Sequence, residues 1–165
     1  MRRIQFLIEM AKKGKLELVE PSGNISLSYL TKSESHLESA KILLNSGKLE
    51  ESVSMSYYAM YHCLVALLFK CGIKSENHAV SIILLKELLK ENELAKIISF
   101  GKEERVDKQY YTDFKIAKSD AEDMIKKTEE FAINCRLLIR SLNADRIKEV
   151  RKELEASLSD ETENI

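Results

Sequence analysis

Apolar side chains recur at alternating intervals of three and four residues along most of this chain, which is the spacing of helices that bury one face. A short stretch of this kind occupies residues 1–20 and ends at Gly14 or near Pro21. Turn-forming residues separate the longer stretches, and Gly47 stands where a left-handed residue would end a helix. The pattern predicts four main helices, at about residues 24–44, 49–71, 75–92 and 119–142.

Two segments break this periodicity. A brief helical piece is predicted from Leu94 to Ile98, ending at Gly101, and residues 102–116 are predicted to form a loop with occasional helical turns. After Asn143 a thin apolar stripe continues among many charged residues. The acidic end, from Ser159 to Glu163, is predicted to be disordered.

The composition is typical of an all-α protein, with one proline and five glycines in 165 residues, and no segment is predicted to be a β-strand. The short connection at Gly47 makes the first two long helices an antiparallel hairpin. The sequence therefore predicts an up-and-down bundle of four to five helices. We expect an N-terminal extension at residues 1–24, the bundle at residues 25–142 and a charged, helical C-terminal tail at residues 143–165.

The second long helix is apolar on more than one side, yet it carries three tyrosines and a histidine. Tyr58, His62 and Ala66 lie along one stripe of this helix, and Tyr57 begins a neighbouring stripe. An unpaired buried hydroxyl or imidazole costs about 1–3 kcal/mol, so these polar groups need partners. We expect this helix at the centre of the bundle. For His62, a core imidazole held by a backbone or hydroxyl group is the alternative to a functional role.

Charge and cysteine content limit the classes of function. The 26 basic and 27 acidic residues leave a net charge of −1, so no global field favours nucleic acid or an anionic membrane. The longest apolar run, Cys63–Phe69, is too short to cross a bilayer. We expect a soluble cytoplasmic protein with no membrane association. Its cysteines lack metal-ligand spacing and are predicted to be buried free thiols, at Cys63, Cys71 and Cys135.

The sequence contains few groups that could carry chemistry. No histidine has a glutamate three residues before it, which a carboxylate–histidine metal bundle requires, and no glycine-rich phosphate loop is present. We therefore expect no metal and no cofactor. His36 is expected at the surface. His62, His78 and Arg105, together with several tyrosine hydroxyls, are donors of the kind that converge on an anion.

Several short motifs stand in a fixed order along the chain. They are Tyr57-Tyr58-Ala59-Met60-Tyr61-His62, then Ala66-Leu67-Leu68, Gly72-Ile73 and His78. A later motif is Arg105-Val106-Asp107-Lys108-Gln109-Tyr110-Tyr111. Together they cover about residues 25–142 and closely resemble the hallmark of the HEPN (higher eukaryotes and prokaryotes nucleotide-binding) domain family, in particular its small prokaryotic branch.

The resemblance implies a four- or five-helix bundle, commonly a homodimer, often encoded beside a minimal nucleotidyltransferase in a toxin–antitoxin-like pair. Many members are ribonucleases that use an Arg-x4–6-His motif across a dimer interface. This chain has no such motif, and Met55 occupies the place where the branch, which reads roughly Ser-Arg-Ala-Tyr-Tyr-Ala-Met-Phe-His, has its Arg. Without that guanidinium nothing there holds a scissile phosphate in bidentate fashion. We therefore expect a non-catalytic or weakly catalytic protein, with no catalytic residue assigned.

The preferred hypothesis is a dimeric HEPN bundle that binds a nucleotide, a nucleotidyltransferase partner, or both. Its polar cleft is predicted to be lined by Tyr58, His62, His78, Arg105, Asp107 and Tyr110. Arg105 would meet phosphate, and the two imidazoles would donate hydrogen bonds. Asp107 would orient a neighbour or Arg105 itself; alternatively, it pairs with Arg105 only to fix the loop.

Two other functions remain open from the sequence. One is a metal-independent ribonuclease that uses His62 or His78 as general acid or base, with Arg105 or Arg136 in place of the missing Arg, acting on RNA. The other is a plain helical adaptor, since residues 43–68 look like one tetratricopeptide unit. Repeat proteins need several such units, and no 34-residue self-similarity follows here.

Overall fold

The computed structural model describes residues 2–110 and 115–159, and the side chains of residues 106–110 lie outside this description. In the described ranges the elements follow in this order: α1 (Arg2–Lys12), β1 (Leu16–Leu18), α2 (Gly23–Asn45), α3 (Leu49–Lys70), β2 (Ile73–Ser75), α4 (His78–Glu87), α5 (Asn92–Tyr110), α6 (Lys118–Ser141) and α7 (Ala144–Ser159). The predicted all-α helical bundle is confirmed.

The core is built around α3. Most of its residues are buried, because α2, α4, α5 and α6 all pack against it. By length and composition α3 would suit a membrane span, and most of its apolar stretch is buried inside the bundle. The three cysteines are buried and free, as predicted.

Helix α2 has a local stop signal at each end, and Gly47 is the one that the sequence predicted. The Ser22 hydroxyl caps α2 by accepting from the Ile25 N–H at 3.1 Å. Gly47 has a φ of 72°, the left-handed conformation expected after a helix. The connection is only a few residues long, so α2 returns along α3 as an antiparallel neighbour.

A two-stranded antiparallel sheet corrects the prediction that the chain has no strand. Leu16 pairs with Ser75 and Leu18 with Ile73. Each strand has three residues, too few for an alternation of apolar and polar positions to be recognised in the sequence. Leu16 and Ile73 are buried, so the sheet closes one end of the core.

Helix α5 corrects two further predictions. It runs unbroken from Asn92 to Tyr110, whereas the sequence predicted a break at Gly101 and a loop over residues 102–116. Gly101 is instead a point of close packing. A Cβ at this position would lie 2.5 Å from Met60 Cε and 2.7 Å from Met124 Cε. The glycine therefore lets α5 approach α3 and α6 rather than ending the helix.

The start of α6 differs from the prediction in register. The sequence suggested a capping box between Ser119 and Glu122. In the structure the helix begins at Lys118, and the Ala117 N–H donates to Asp120 Oδ2 at 3.0 Å.

The last described helix packs on the bundle. Val150 and Leu154 of α7 are buried, and α7 contacts α1. Arg151 Nη1 donates to the carbonyl oxygens of Val19 at 2.6 Å and Gly72 at 2.8 Å, which ties α7 to the two strands. The division into segments 1–24, 25–142 and 143–165 stays a prediction, and the predicted acidic end beyond Ser159 lies outside the described residues.

Replacing Gly72 by Ala should destabilise the protein far more than replacing Gly47. Both glycines have positive φ, but a Cβ at Gly72 would lie 2.5 Å from the Val19 carbonyl oxygen, while a Cβ at Gly47 meets nothing within 4 Å. We expect Gly47→Ala to lower the free energy of unfolding by about 1 kcal/mol and Gly72→Ala by at least about 3 kcal/mol. Urea denaturation measures both values. Equal losses would contradict the close approach of the Val19 carbonyl to Gly72.

Candidate functional site

Aromatic and imidazole rings from α2 and α3 meet along one edge of the hairpin. Tyr58 and His62 of α3 are half-buried, and their ring centroids are 6.5 Å apart. His36 of α2 lies edge-on against His62 at 4.7 Å, and Tyr29 stacks on His62 at 5.8 Å. The antiparallel hairpin produces this arrangement, because it lays α2 alongside α3.

A second group of rings surrounds His78, the first residue of α4. The Asn77 side chain caps this helix by accepting from the Val80 N–H at 3.0 Å, which fixes the first turn. Tyr57 Oη lies 2.7 Å from His78 Nδ1, and the Tyr61 ring stacks on the His78 ring at 3.7 Å. The core of the bundle therefore holds the His78 ring from two sides.

The Tyr57–His78 hydrogen bond joins two groups that are both uncharged at pH 7. Burial raises the pKa of Tyr57 above its usual range, so the phenol stays protonated. Burial, and then the nearby Arg105 and Lys102 charges, lower the pKa of His78, so its ring is neutral at pH 7. In the tautomer with the proton on Nε2, the Tyr57 hydroxyl donates to Nδ1 of His78, and Nε2 is then the N–H donor of the ring.

Arg105 of α5 joins the two groups of rings. Its Cζ lies 5.2 Å from the centroid of the Tyr57 ring and 4.9 Å from that of Tyr58. These distances are within the range of cation–π attraction. Its Nε and Nη1 atoms are buried and have no hydrogen-bond partner among the described residues. Two of the three guanidinium nitrogens are thus open to an acceptor from beyond that part of the chain.

The hairpin imidazoles are held neutral. The pKa of His62 is lowered to about 4, mainly by burial and to a smaller extent by the neighbouring His36 and Lys32. The pKa of His36 is also lowered, first by burial and then by Lys32. His62 Nδ1 is buried with no hydrogen-bond partner in the described part of the chain.

The structure brings four of the predicted site residues into one cluster: Tyr58, His62, His78 and Arg105. We call these four, with Tyr29, His36, Tyr57 and Tyr61, the ring cluster. Asp107 and Tyr110 belong to α5 by their backbone, and their side chains lie outside the described residues.

The position of His36 differs from the prediction. It was expected at the surface but is half-buried against His62 and Tyr58. A usable signal existed, because His36 and Tyr29 are seven residues apart and so share one face of α2. The predicted hairpin places that face beside the stripe of α3 that carries His62. Tyr57, Tyr61 and His78 were all visible in the motifs, but the contacts of the two tyrosines with His78 were not predicted.

Two other residues bear on the chemistry of the site. Arg136, proposed from the sequence as a substitute for the missing Arg, donates to Glu34 Oε1 at 2.6 Å between α6 and α2. Within the described residues no group of three or more His, Cys, Asp or Glu side chains is placed to hold a metal ion. The ring cluster therefore offers stacking surfaces, neutral imidazoles and one guanidinium.

The stability of the protein should fall as the pH drops from about 6.5 to about 4, partly because of His62. In this window the unfolded chain binds a proton at His62 and the folded chain does not, so acid favours unfolding. We expect His62→Gln to flatten the pH dependence of the free energy of unfolding by about 1–2 kcal/mol over the window, less than the full shift because the ring is partly exposed. Denaturant titrations at several pH values measure this. An unchanged slope in His62→Gln would show that the imidazole is not held neutral.

Comparison with known proteins identifies the family of the chain. The model of the HEPN domain matches residues 27–137, which is two thirds of the chain and includes the whole ring cluster. The resemblance seen in the motifs is therefore confirmed.

Three relatives are similar over parts of the chain. The UPF0332 protein PH1297 of Pyrococcus horikoshii is 46% identical over 46 residues, covering 28% of this chain and 32% of the relative. "Putative toxin MJ0142" of Methanocaldococcus jannaschii is 32% identical over 107 residues, covering 62% of this chain and 73% of the relative. The UPF0332 protein glr0978 of Gloeobacter violaceus is 35% identical over 60 residues, covering 36% of this chain and 48% of the relative. The matched region thus spans about a third to three quarters of these relatives, and together with the match to the family model it shows that the chain belongs to the HEPN domain family.

Proposed function

We propose that this protein binds a nucleotide at the ring cluster. The observation that carries the proposal is the position of Arg105, whose guanidinium lies over two tyrosine rings with Nε and Nη1 buried and unpartnered among the described residues. A buried guanidinium nitrogen without an acceptor is costly, and a phosphate oxygen is the acceptor that suits it best.

The other members of the cluster would serve the rest of the ligand. Tyr58 and His62 present partly exposed rings on which a base can stack. The buried Nδ1 of His62 is a further polar atom without a partner in the described region. In the tautomer in which Nδ1 of His78 accepts from Tyr57, the Nε2–H would donate to the ligand.

Ribonuclease activity is less well supported than binding. Met55 stands where the resembled branch has its Arg, and Arg136 is engaged by Glu34. A histidine with a pKa of about 4, such as His62, is almost wholly neutral at pH 7 and is poorly suited to donate a proton as a general acid. The ribonuclease alternative needs Arg105 or Arg136 in place of the missing Arg, and of these two only Arg105 lies in the ring cluster. A ribonuclease would therefore use the same arginine as the proposed nucleotide site.

The biological setting that we propose is a toxin–antitoxin-like system with a minimal nucleotidyltransferase as partner. Two facts support it. The chain belongs to the HEPN family, and one relative, matched over most of its length, is named as a putative toxin.

Titration calorimetry at low salt tests the proposal. We expect wild-type protein to release or absorb heat with at least one of AMP, ATP and GMP. Arg105→Ala should weaken that binding at least about tenfold, because it removes a charge-assisted contact to phosphate. The matched control is Arg146→Ala, which removes an arginine on α7 that pairs with Glu149 instead. This variant should bind as the wild type does.

Two outcomes would contradict the proposal. One is the absence of heat with all three nucleotides; the other is an unchanged affinity in Arg105→Ala. Incubation of the same proteins with unstructured RNA in EDTA separates binding from cleavage. Intact RNA fits the proposal, whereas fragments that disappear with His62→Ala or His78→Ala would favour the ribonuclease.

A further inference from the structure

Two of the three cysteines meet where α3 and α6 pack together. Cys63 of α3 and Cys135 of α6 are both fully buried. The Cys135 Sγ lies 3.2 Å from the Cys63 carbonyl oxygen, and the two thiols are also hydrogen-bonded to each other. The two residues are 72 positions apart in the sequence, so it is the packing of the two helices that brings them together.

The hydrogen bonds around this pair give the two thiols different roles. The Ser33 hydroxyl donates to the Ala59 carbonyl oxygen, so its oxygen is left to accept from the Cys63 thiol at 3.0 Å. The Cys135 thiol donates toward Cys63. A chain of donors therefore runs from α6 through α3 to α2, and Cys63 lies in the middle of it.

This chain makes Cys63 the better placed of the two to become a thiolate. The hydrogen bond from Cys135 is the main reason that the pKa of Cys63 is lowered, and the same bond is the main reason that the pKa of Cys135 is raised. The Ser33 hydroxyl favours the Cys63 anion as well. Because the thiolate is the nucleophile in the oxidation of cysteine, Cys63 is expected to react first.

We propose that Cys63 and Cys135 form a disulfide between α3 and α6 when the protein meets hydrogen peroxide. The Cys63 thiolate attacks one peroxide oxygen, the O–O bond breaks, and hydroxide leaves, so that Cys63 becomes a sulfenic acid. The Cys135 sulfur then attacks the Cys63 sulfur, the S–O bond breaks, and a second hydroxide leaves. The protons of the two thiols convert both hydroxides to water. Two thiols and one hydrogen peroxide thus give one disulfide and two water molecules.

The burial of both thiols determines how the reaction starts. Neither sulfur is exposed, so α6 must separate locally from α3 before peroxide reaches Cys63. When the helices close again, the Cys135 thiol returns to its place beside the sulfenic acid. The new bond fixes α6 on α3 and closes the loop of residues 63–135, which disfavours the unfolded chain.

Cys71 is an internal control for this chemistry. It is as fully buried as the other two cysteines, but burial raises its pKa to about 11. It caps the C-terminal end of α3, eight residues after Cys63, which is about 12 Å along a helix. We therefore expect Cys71 to keep its thiol under conditions that oxidise the pair.

Thiol mapping of the full chain tests the proposal. The reduced protein is treated with hydrogen peroxide, cleared with catalase, unfolded without reductant and alkylated, and its peptides are identified by mass spectrometry. We expect one alkylated cysteine, Cys71, and a disulfide-linked pair of peptides that contain Cys63 and Cys135. The Cys63 thiol should be lost at least about tenfold faster than that of Cys71, because a larger fraction of it is thiolate.

Three single substitutions assign the roles. In Cys135→Ser, peroxide should leave Cys63 as a sulfenic acid that dimedone traps, and in Cys63→Ser the Cys135 thiol should stay free. The matched control is Cys71→Ser, which should form the disulfide as fast as the wild type does. Oxidation should also raise the urea midpoint of the wild type and of Cys71→Ser by about 1 M. Circular dichroism shows whether each variant is folded.

Three results would overturn the proposal. They are three alkylated cysteines in the wild type after peroxide treatment, a disulfide that includes Cys71, and a disulfide that joins two chains in place of one that lies within a chain. The chemistry of this pair does not depend on nucleotide binding at the ring cluster. Either proposal can therefore fail while the other stands.

Discussion

The structure depends on one constraint: α3 is enclosed by other helices on most sides, so each polar group on it must find a partner inside the protein. Serine hydroxyls form such hydrogen bonds where α2 and α3 pack together. Ser33 of α2 donates to the Ala59 carbonyl oxygen at 2.6 Å, and Ser52 of α3 donates to that of Ala40 at 2.7 Å. The same demand explains why Tyr57 and His78 are joined, since an unpaired phenol or imidazole there would cost about 1–3 kcal/mol.

The candidate site lies where buried polar atoms have no hydrogen-bond partner among the described residues. At the edge of α3 beside α2 and α5, the rings of Tyr58 and His62 are only half-buried. There His62 Nδ1 and two nitrogens of Arg105 find no hydrogen-bond partner in the described part of the protein. Elsewhere the buried hydroxyl atoms without a partner in that part belong to Ser26 and Ser56, which carry no charge. A buried cation beside neutral rings therefore distinguishes this edge of the bundle as a place for an anionic, ring-containing ligand.

Much of the fold could be predicted from the sequence, because long helices repeat one signal over many residues. The stripes in α2, α3 and α6 run for five turns or more, and Gly47 marks the hairpin directly. The strands β1 and β2 could not be predicted, since three residues carry no measurable period. Helix α5 was missed because Gly101 is there for packing against Met60 and Met124, a reason that only the tertiary structure reveals.

The sequence could predict a site residue only where that residue lies on the same helix as another one or belongs to the family motif. Tyr58 and His62 follow from the helical repeat of α3, and the family motif added His78 and Arg105. The contribution of His36 follows only when the shared face of His36 and Tyr29 is combined with the way α2 lies along α3. The neutral state of the imidazoles depends on burial, which no local pattern gives.

The most direct test of the central claim is nitrogen-15 NMR of the histidine rings at pH 7, recorded with and without AMP. The account predicts that the signals of His62 and His78 are those of neutral imidazoles and that both move when AMP is added. Protonated rings at pH 7, or signals that stay in place at saturating AMP, would contradict it.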